Sequence, residues 1–175
     1  MALRVDPIAE ARRHWMERWG IGEHMAAATS LMRAQQIVLA TVEDELRAFG
    51  LTFASYEALM LLSFSRRGEL PLGKMSERLM VHPASITNTV DRLEERGLVV
   101  RRRDPNDGRR VLARITDAGR SIALEATEPL NKIQFGLGAL DVVQAERISA
   151  LLRPVRESAG DVEVGVDDPW NDVMA

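Results

Sequence analysis

Apolar positions recur with a helical period along most of the chain. A seven-residue apolar repeat runs through residues 23–49, at Met25, Met32, Leu39 and Leu46. No Pro or Gly interrupts this segment and Gly50 follows it, so the pattern predicts a long helix that ends there. Such a stripe packs against another helix. It is too long for one small domain to cover, and it therefore predicts a dimer.

Shorter patterns predict further helices and one hairpin. The other helical segments are 7–19, 53–65, 73–80, 83–96, a helix from Asp117 that Pro129 kinks or breaks, and 142–159. Two alternating segments, 98–103 and 109–115, flank the turn formers of 104–108 and predict strands. Leu70–Leu72 reads as a short extended stretch. The fold class is therefore mainly α with a small β-hairpin.

The composition narrows the possible functions. The chain has 175 residues, 46% of them apolar, and no Cys, which excludes disulfides and thiolate chemistry. His14, His24 and His82 show no metal-ligand spacing, so we expect no metal site and no cofactor. No nucleophile–base pair or phosphate loop is visible, which argues against an enzyme and gives no catalytic residue. No bilayer-length apolar run or secretion signal is present, and we expect a cytoplasmic protein.

The charge distribution favours a nucleic-acid partner despite a net charge of −3. Residues 92–120 hold nine Arg against five acids, a local balance of +4, whereas residues 161–175 hold five acids and no Lys or Arg. The local basic patch is what matters for phosphate binding.

The predicted helix at 83–96 has one apolar side and one small, polar side. The polar side suits close approach to base edges in the major groove, where Asn pairs with adenine and Arg with guanine. A solvated helix face has the same composition, and the basic hairpin that follows decides in favour of DNA. The predicted base readers are Ser85, Asn88 and Arg92, and the hydroxyls of Ser85, Thr87 and Thr89 are predicted to reach phosphates.

The hairpin is dense in arginine around its turn. Arg109 is predicted to enter the narrow minor groove, with Asp107 orienting its side chain through a charge-assisted hydrogen bond. A solvated charge cluster is the alternative interpretation, although the density of Arg exceeds what solubility requires. The predicted phosphate contacts are Arg101, Arg102, Arg103 and Arg110.

The segment VHPASITNTVDRLEERGLVVRRRDPNDGRRVLARITDAGR resembles the DNA-reading part of the MarR family of bacterial regulators. The resemblance covers about residues 23–159. It implies a winged helix-turn-helix DNA-binding lobe on a helical dimerisation base, and a homodimer that binds a pseudo-palindromic operator in double-stranded DNA, usually as a repressor. The expected regions are an N-terminal extension helix (1–22), a dimerisation region (23–50 and 117–160), the DNA-binding domain (51–116) and an acidic tail (161–175).

The resemblance also implies release from DNA by a small aromatic acid or phenol. The helix at 7–19 is similar to the extra N-terminal helix of a urate-sensing subgroup, in which a Trp and a charged residue contact ligand. Their counterparts here are Trp15 or Trp19, and Glu57. The alternative is that both Trp side chains cover the dimer base.

Two other functions remain as alternatives. A winged-helix module for protein contacts would bind an acidic partner through the wing without operator preference, but the polar face at Ser85 and Asn88 argues against it. A small enzyme is disfavoured by the lack of catalytic motifs.

Overall fold

The computed structural model describes residues 3–105, 107–108 and 110–163. They form seven α-helices and three short strands, so the predicted mainly α fold with a small sheet is confirmed. The chain divides into two compact units, Met1–Thr41 and Val42–Ala175.

The helices begin and end at residues with clear local signals. In chain order they are α1 (Pro7–Trp19), α2 (Glu23–Arg47), α3 (Phe53–Phe64), α4 (Leu72–Arg78), α5 (Pro83–Glu95), α6 (Asp117–Lys132) and α7 (Val142–Ser158). Side chains of Asp6, Thr52, Thr116 and Asp141 accept hydrogen bonds from the first turns of α1, α3, α6 and α7, which satisfies backbone donors that a helix leaves unpaired.

The sequence predicts that Pro129 kinks or breaks the helix that starts at Asp117. The predicted break is wrong, because α6 continues to Lys132. Leu130, the residue after Pro129, is fully buried, and this packing offsets the backbone hydrogen bond that Pro129 cannot donate. The helix ends instead before a single turn of 3₁₀ helix at Gln134–Gly136, in which Gln134 and Phe135 adopt left-handed backbone conformations.

The sheet has three strands, one more than the hairpin predicted. Strands β2 (Val99–Arg103) and β3 (Val111–Ile115) form the hairpin, and β1 (Glu69–Pro71) pairs with β3 in the antiparallel order β1-β3-β2. Pro71 lies opposite Leu112, and an edge strand tolerates a residue that donates no hydrogen bond. The extended stretch expected near Leu70 is therefore the third strand of the wing.

The core of the second unit is made by α3, α4, α5, α6 and the sheet. Its fully buried side chains include Leu59, Leu62, Met75, Val90, Leu93, Val99 and Leu130. Helix α3 is apolar on nearly all sides, and six of its residues are buried, so it is the helix around which the others pack. None of the helices in the described ranges is long and apolar enough to span a membrane.

Candidate DNA interface and effector cavity

Helix α5 presents the polar face that its sequence predicts. Pro83 occupies its first position, and the His82 ring Nδ1 accepts a hydrogen bond from the Ala84 N–H at 3.2 Å. Ile86, Val90 and Leu93 are buried against the core. These three buried side chains fix the orientation of α5, so its polar side faces away from the core.

The predicted base readers lie on this exposed side. Ser85, Asn88 and Arg92 are all exposed, and they sit three and four residues apart, which places them on one face of a helix. Thr87 is also exposed, but its hydroxyl donates to the Pro83 carbonyl at 3.0 Å. Thr89 is half-buried. The two threonines are therefore less available as donors than Ser85.

Arg101 points at α5 rather than away from the protein. Its guanidinium binds the carboxylates of Asp91 and Glu94, the latter at 3.2 Å, and donates to the Thr87 carbonyl at 3.0 Å. Its backbone N–H also donates to Glu94, at 2.8 Å. The side chain is only 22% exposed. Arg101 thus joins the wing to the helix that it follows.

The other wing arginines divide between internal pairing and exposure. Arg102 pairs with Glu69 of β1, whereas Arg103 is exposed. At the turn, Arg110 Nε lies 3.1 Å from Asp107 Oδ2, so Asp107 does hold an arginine. The predicted role of Arg109 falls on a residue outside the described ranges, as does most of the acidic tail.

Arg96 makes a contact that the sequence did not indicate. It caps the C-terminal end of α5, and its guanidinium donates to the Phe49 carbonyl at 2.9 Å and to the Gly50 carbonyl. These carbonyls lie just beyond the last turn of α2. The end of the candidate recognition helix is therefore tied to the end of the long helix.

A cavity of about 400 Å³ lies beside α3 in the second unit. One face of α3 lines it, together with the end of α4 and the turn after α6. The lining includes Phe53, Tyr56, Glu57, Met60, Phe64, Arg78, Met80 and Phe135. Of the predicted ligand contacts, Glu57 belongs to this cavity. Its carboxyl is half-buried, and burial raises its pKa above the ordinary value.

Trp15 and Trp19 lie in the first unit and contact each other. Their ring centroids are 4.5 Å apart, and the Arg18 guanidinium lies 5.4 Å from the centroid of Trp19. Both rings keep substantial exposure, 40% and 62%.

The sequence did not indicate that Arg78, Met80 or Phe135 line the cavity beside α3, because they come from two separate turns that no single motif connects.

No cluster of three or more potential metal-binding side chains occurs in the part of the chain that the structure describes. Several charged groups around the wing and α5 form ion pairs with one another instead.

A family model and two related sequences all match this chain to bacterial transcriptional regulators. The MarR family model matches residues 51–111. The HTH-type transcriptional regulator YhbI of Bacillus subtilis is 31% identical over 111 residues, which are 63% of this chain and 71% of that protein. MhqR, a regulator of the same organism, is 30% identical over 89 residues, 51% of this chain, and the match spans only 60% of its length.

Solved structures agree over most of the chain. Sco5413, a MarR family transcriptional regulator from Streptomyces coelicolor, is 55% identical with a TM-score of 0.74, over 79% of this chain and 96% of that one. Sco3205 from the same organism, solved in complex with DNA, is 25% identical with a TM-score of 0.71, over 88% and 99%. CouR from Rhodococcus jostii, solved with p-coumaroyl-CoA, is 27% identical with a TM-score of 0.64, over 81% and 95%.

Proposed function

Because this chain belongs to the MarR family of transcriptional regulators, we propose that it is a homodimeric repressor that leaves its operator when a small aromatic effector binds. Members of the family are regulators and not enzymes, in agreement with the sequence. The domain limits expected above, 1–22, 23–50 with 117–160, 51–116 and 161–175, are part of the proposal.

The observation that carries the DNA-reading role is the exposed polar face of α5 beside the wing. Ser85, Asn88 and Arg92 offer donors and acceptors to base edges without any large apolar neighbour on that face. Arg103 and Arg110 are exposed on the wing and supply phosphate contacts, and Arg109 is assigned to the minor groove from the sequence. The complex of Sco3205 with DNA supports this use of the fold.

Dimerisation rests on apolar surface that one chain leaves uncovered. Helix α7 has no buried residue, and Ile148, Leu151 and Val155 form an exposed apolar stripe on it. On α2, Leu31 and Met32 are also exposed. Exposed apolar surface of this kind on two helices needs a partner, and a second copy of the chain presents the same surface in return.

Effector binding is assigned to the cavity beside α3. CouR was solved with p-coumaroyl-CoA, and the family resemblance implies an aromatic acid or phenol. Trp15 and Trp19 are candidate ligand contacts on the family resemblance alone, whereas Glu57 also lines the cavity. A cavity of about 400 Å³ with aromatic walls is large enough for one or two fused rings.

The test is fluorescence anisotropy with the DNA upstream of the protein's own gene and with scrambled DNA of equal length. Asn88→Ala should cost about 1–3 kcal/mol at the specific site and little on scrambled DNA. Asn131→Ala, at an exposed position on α6, is the matched control. Equal affinity of the wild type for both DNAs would overturn the proposal and favour the protein-contact module.

A further inference from the structure

The cavity beside α3 is lined by aromatic rings that surround one acidic side chain. Phe53, Tyr56, Phe64 and Phe135 supply the rings, and Tyr56 is fixed by a 2.9 Å hydrogen bond between its hydroxyl and Thr127 on α6. Glu57 lies on the same face of α3 between Phe53 and Met60. The walls therefore give a flat, apolar ligand extensive contact.

Glu57 forms no ion pair with the other charged residue of the lining, Arg78. No ion pair to its carboxylate occurs among the described residues, and burial alone accounts for the rise in its pKa. A carboxylate that loses water without gaining a partner is destabilised in its charged form. A positively charged ligand group placed here would restore that lost stabilisation, and the surrounding rings would attract it through their electron-rich faces.

Arg78 is the other charged residue of the lining, and it could favour a ligand of the opposite charge. The two groups are not equivalent, however. A guanidinium is delocalised and weakly hydrated, and it tolerates apolar and aromatic neighbours without a counter-ion. A carboxylate does not. An anionic ligand would also add a second negative charge beside Glu57.

The wall of the cavity is continuous with the start of the recognition helix. Met80 lines the cavity and adopts a left-handed backbone (φ 53°), a conformation that costs energy in a non-glycine residue. His82, two residues later, caps α5. Phe135, which also lines the cavity, has a left-handed backbone as well (φ 52°). A ligand in the cavity would therefore contact the turn that leads into α5.

We propose that the effector is an aromatic cation, held by the rings and by the carboxylate of Glu57. This proposal rests on the proposed function only where it calls the ligand an effector. Binding of the ligand to the cavity is measured without DNA and so does not depend on operator recognition. The charge differs from that of the acids and phenols that the family resemblance implies, and the difference is what the experiment measures.

The probes are three naphthalenes that differ in charge: (2-naphthylmethyl)trimethylammonium, 2-naphthylmethanol and 2-naphthoate. Binding to the full-length protein is measured by calorimetry and by thermal shift. The cation should bind at least about tenfold more tightly than the other two. Glu57→Gln should remove that preference, whereas Glu146→Gln, the same change at an exposed site on α7, should leave it intact.

Three results would overturn the proposal. One is preferential binding of 2-naphthoate that Arg78→Gln abolishes, which would make the effector an anion. Another is cation binding that Glu57→Gln does not weaken. The third is failure of all three probes to bind. Anisotropy with operator DNA, run separately with the bound probe, tests release. A protein that binds the cation but no operator would contradict the proposed function and leave the ligand class standing.

Discussion

Arg101→Gln should weaken operator binding more than Arg103→Gln, although both remove one positive charge from the same strand. The structure gives the two residues different surroundings. Arg101 neutralises Asp91 and Glu94 on the recognition helix, whereas Arg103 is exposed. Loss of Arg101 therefore leaves two carboxylates unpaired on a helix that must approach phosphates.

The size of the effect follows from charge and distance. A unit charge about 8 Å from a phosphate in water is repelled by about 0.5 kcal/mol. Two carboxylates in each of two lobes give about 2 kcal/mol, or roughly a 30-fold loss of affinity. The lost contacts also lower the free energy of unfolding by about 2 kcal/mol, less than a typical total, so the variant stays folded.

The assay is anisotropy across a range of salt concentrations, with circular dichroism as a check of folding. Arg103→Gln should reduce the salt dependence by about one phosphate contact per lobe. Adding Asp91→Asn and Glu94→Gln to Arg101→Gln should restore affinity to the level of the Arg103 variant. If Arg101→Gln and Arg103→Gln lose affinity equally and the added changes restore nothing, Arg101 is a plain phosphate contact and the reasoning fails.

Three further predictions concern stability, pH and assembly. Gly119→Ala should lower the free energy of unfolding by about 3 kcal/mol, because a Cβ there would meet the Leu98 carbonyl oxygen at 2.1 Å; chemical denaturation measures this. Glu57→Gln should raise Tm at pH 7, and the gain should shrink as the pH falls towards about 4.3. The folded state raises the pKa of this acid, so ionisation costs stability as the pH rises through the interval between the unfolded and folded values. Leu151→Asp, at a residue 75% exposed on α7, should shift the dimer to monomer in sedimentation velocity.

Each of these has a control and an outcome that would contradict it. Gly73→Ala meets no atom within 4 Å and should leave stability unchanged or slightly higher; equal losses at both glycines would refute the steric argument. A pH-independent gain from Glu57→Gln would show that desolvation of the carboxylate is not its source. Ser149→Asp adds the same charge to α7 as Leu151→Asp, and dissociation by both variants would point to charge rather than to the apolar stripe.

Local signals in the sequence were sufficient for most helix limits. Pro7–Trp19 forms the predicted first helix, and the long helix stops before Gly50, which takes the left-handed conformation (φ 63°) expected of a helix terminator. Such signals are local because a cap or a terminating glycine acts within one turn. Pairing of β1 with β3 was not predictable in the same way, because Glu69 and Arg114 are distant in sequence and meet only in the fold.

In the candidate site, too, some features follow from local sequence and others only from tertiary contacts. The polar and apolar sides of α5 follow from helical spacing alone, and Ile86 and Asn88 lie on the expected sides. The three successive arginines of β2 look equivalent in sequence. Their partners separate them: Arg101 turns to α5, Arg102 to Glu69, and Arg103 to the surface. Only tertiary structure supplies such partners.

The contact of Arg96 with the end of α2 places two tasks at opposite ends of one helix. Proposed base readers such as Asn88 lie in the first turns of α5, and Arg96 holds its last turn to the carbonyls of Phe49 and Gly50. The link to α2 is therefore made at the opposite end of α5 from Asn88. Replacement of Arg96 would remove this link between the two helices and leave every proposed base reader of α5 in place.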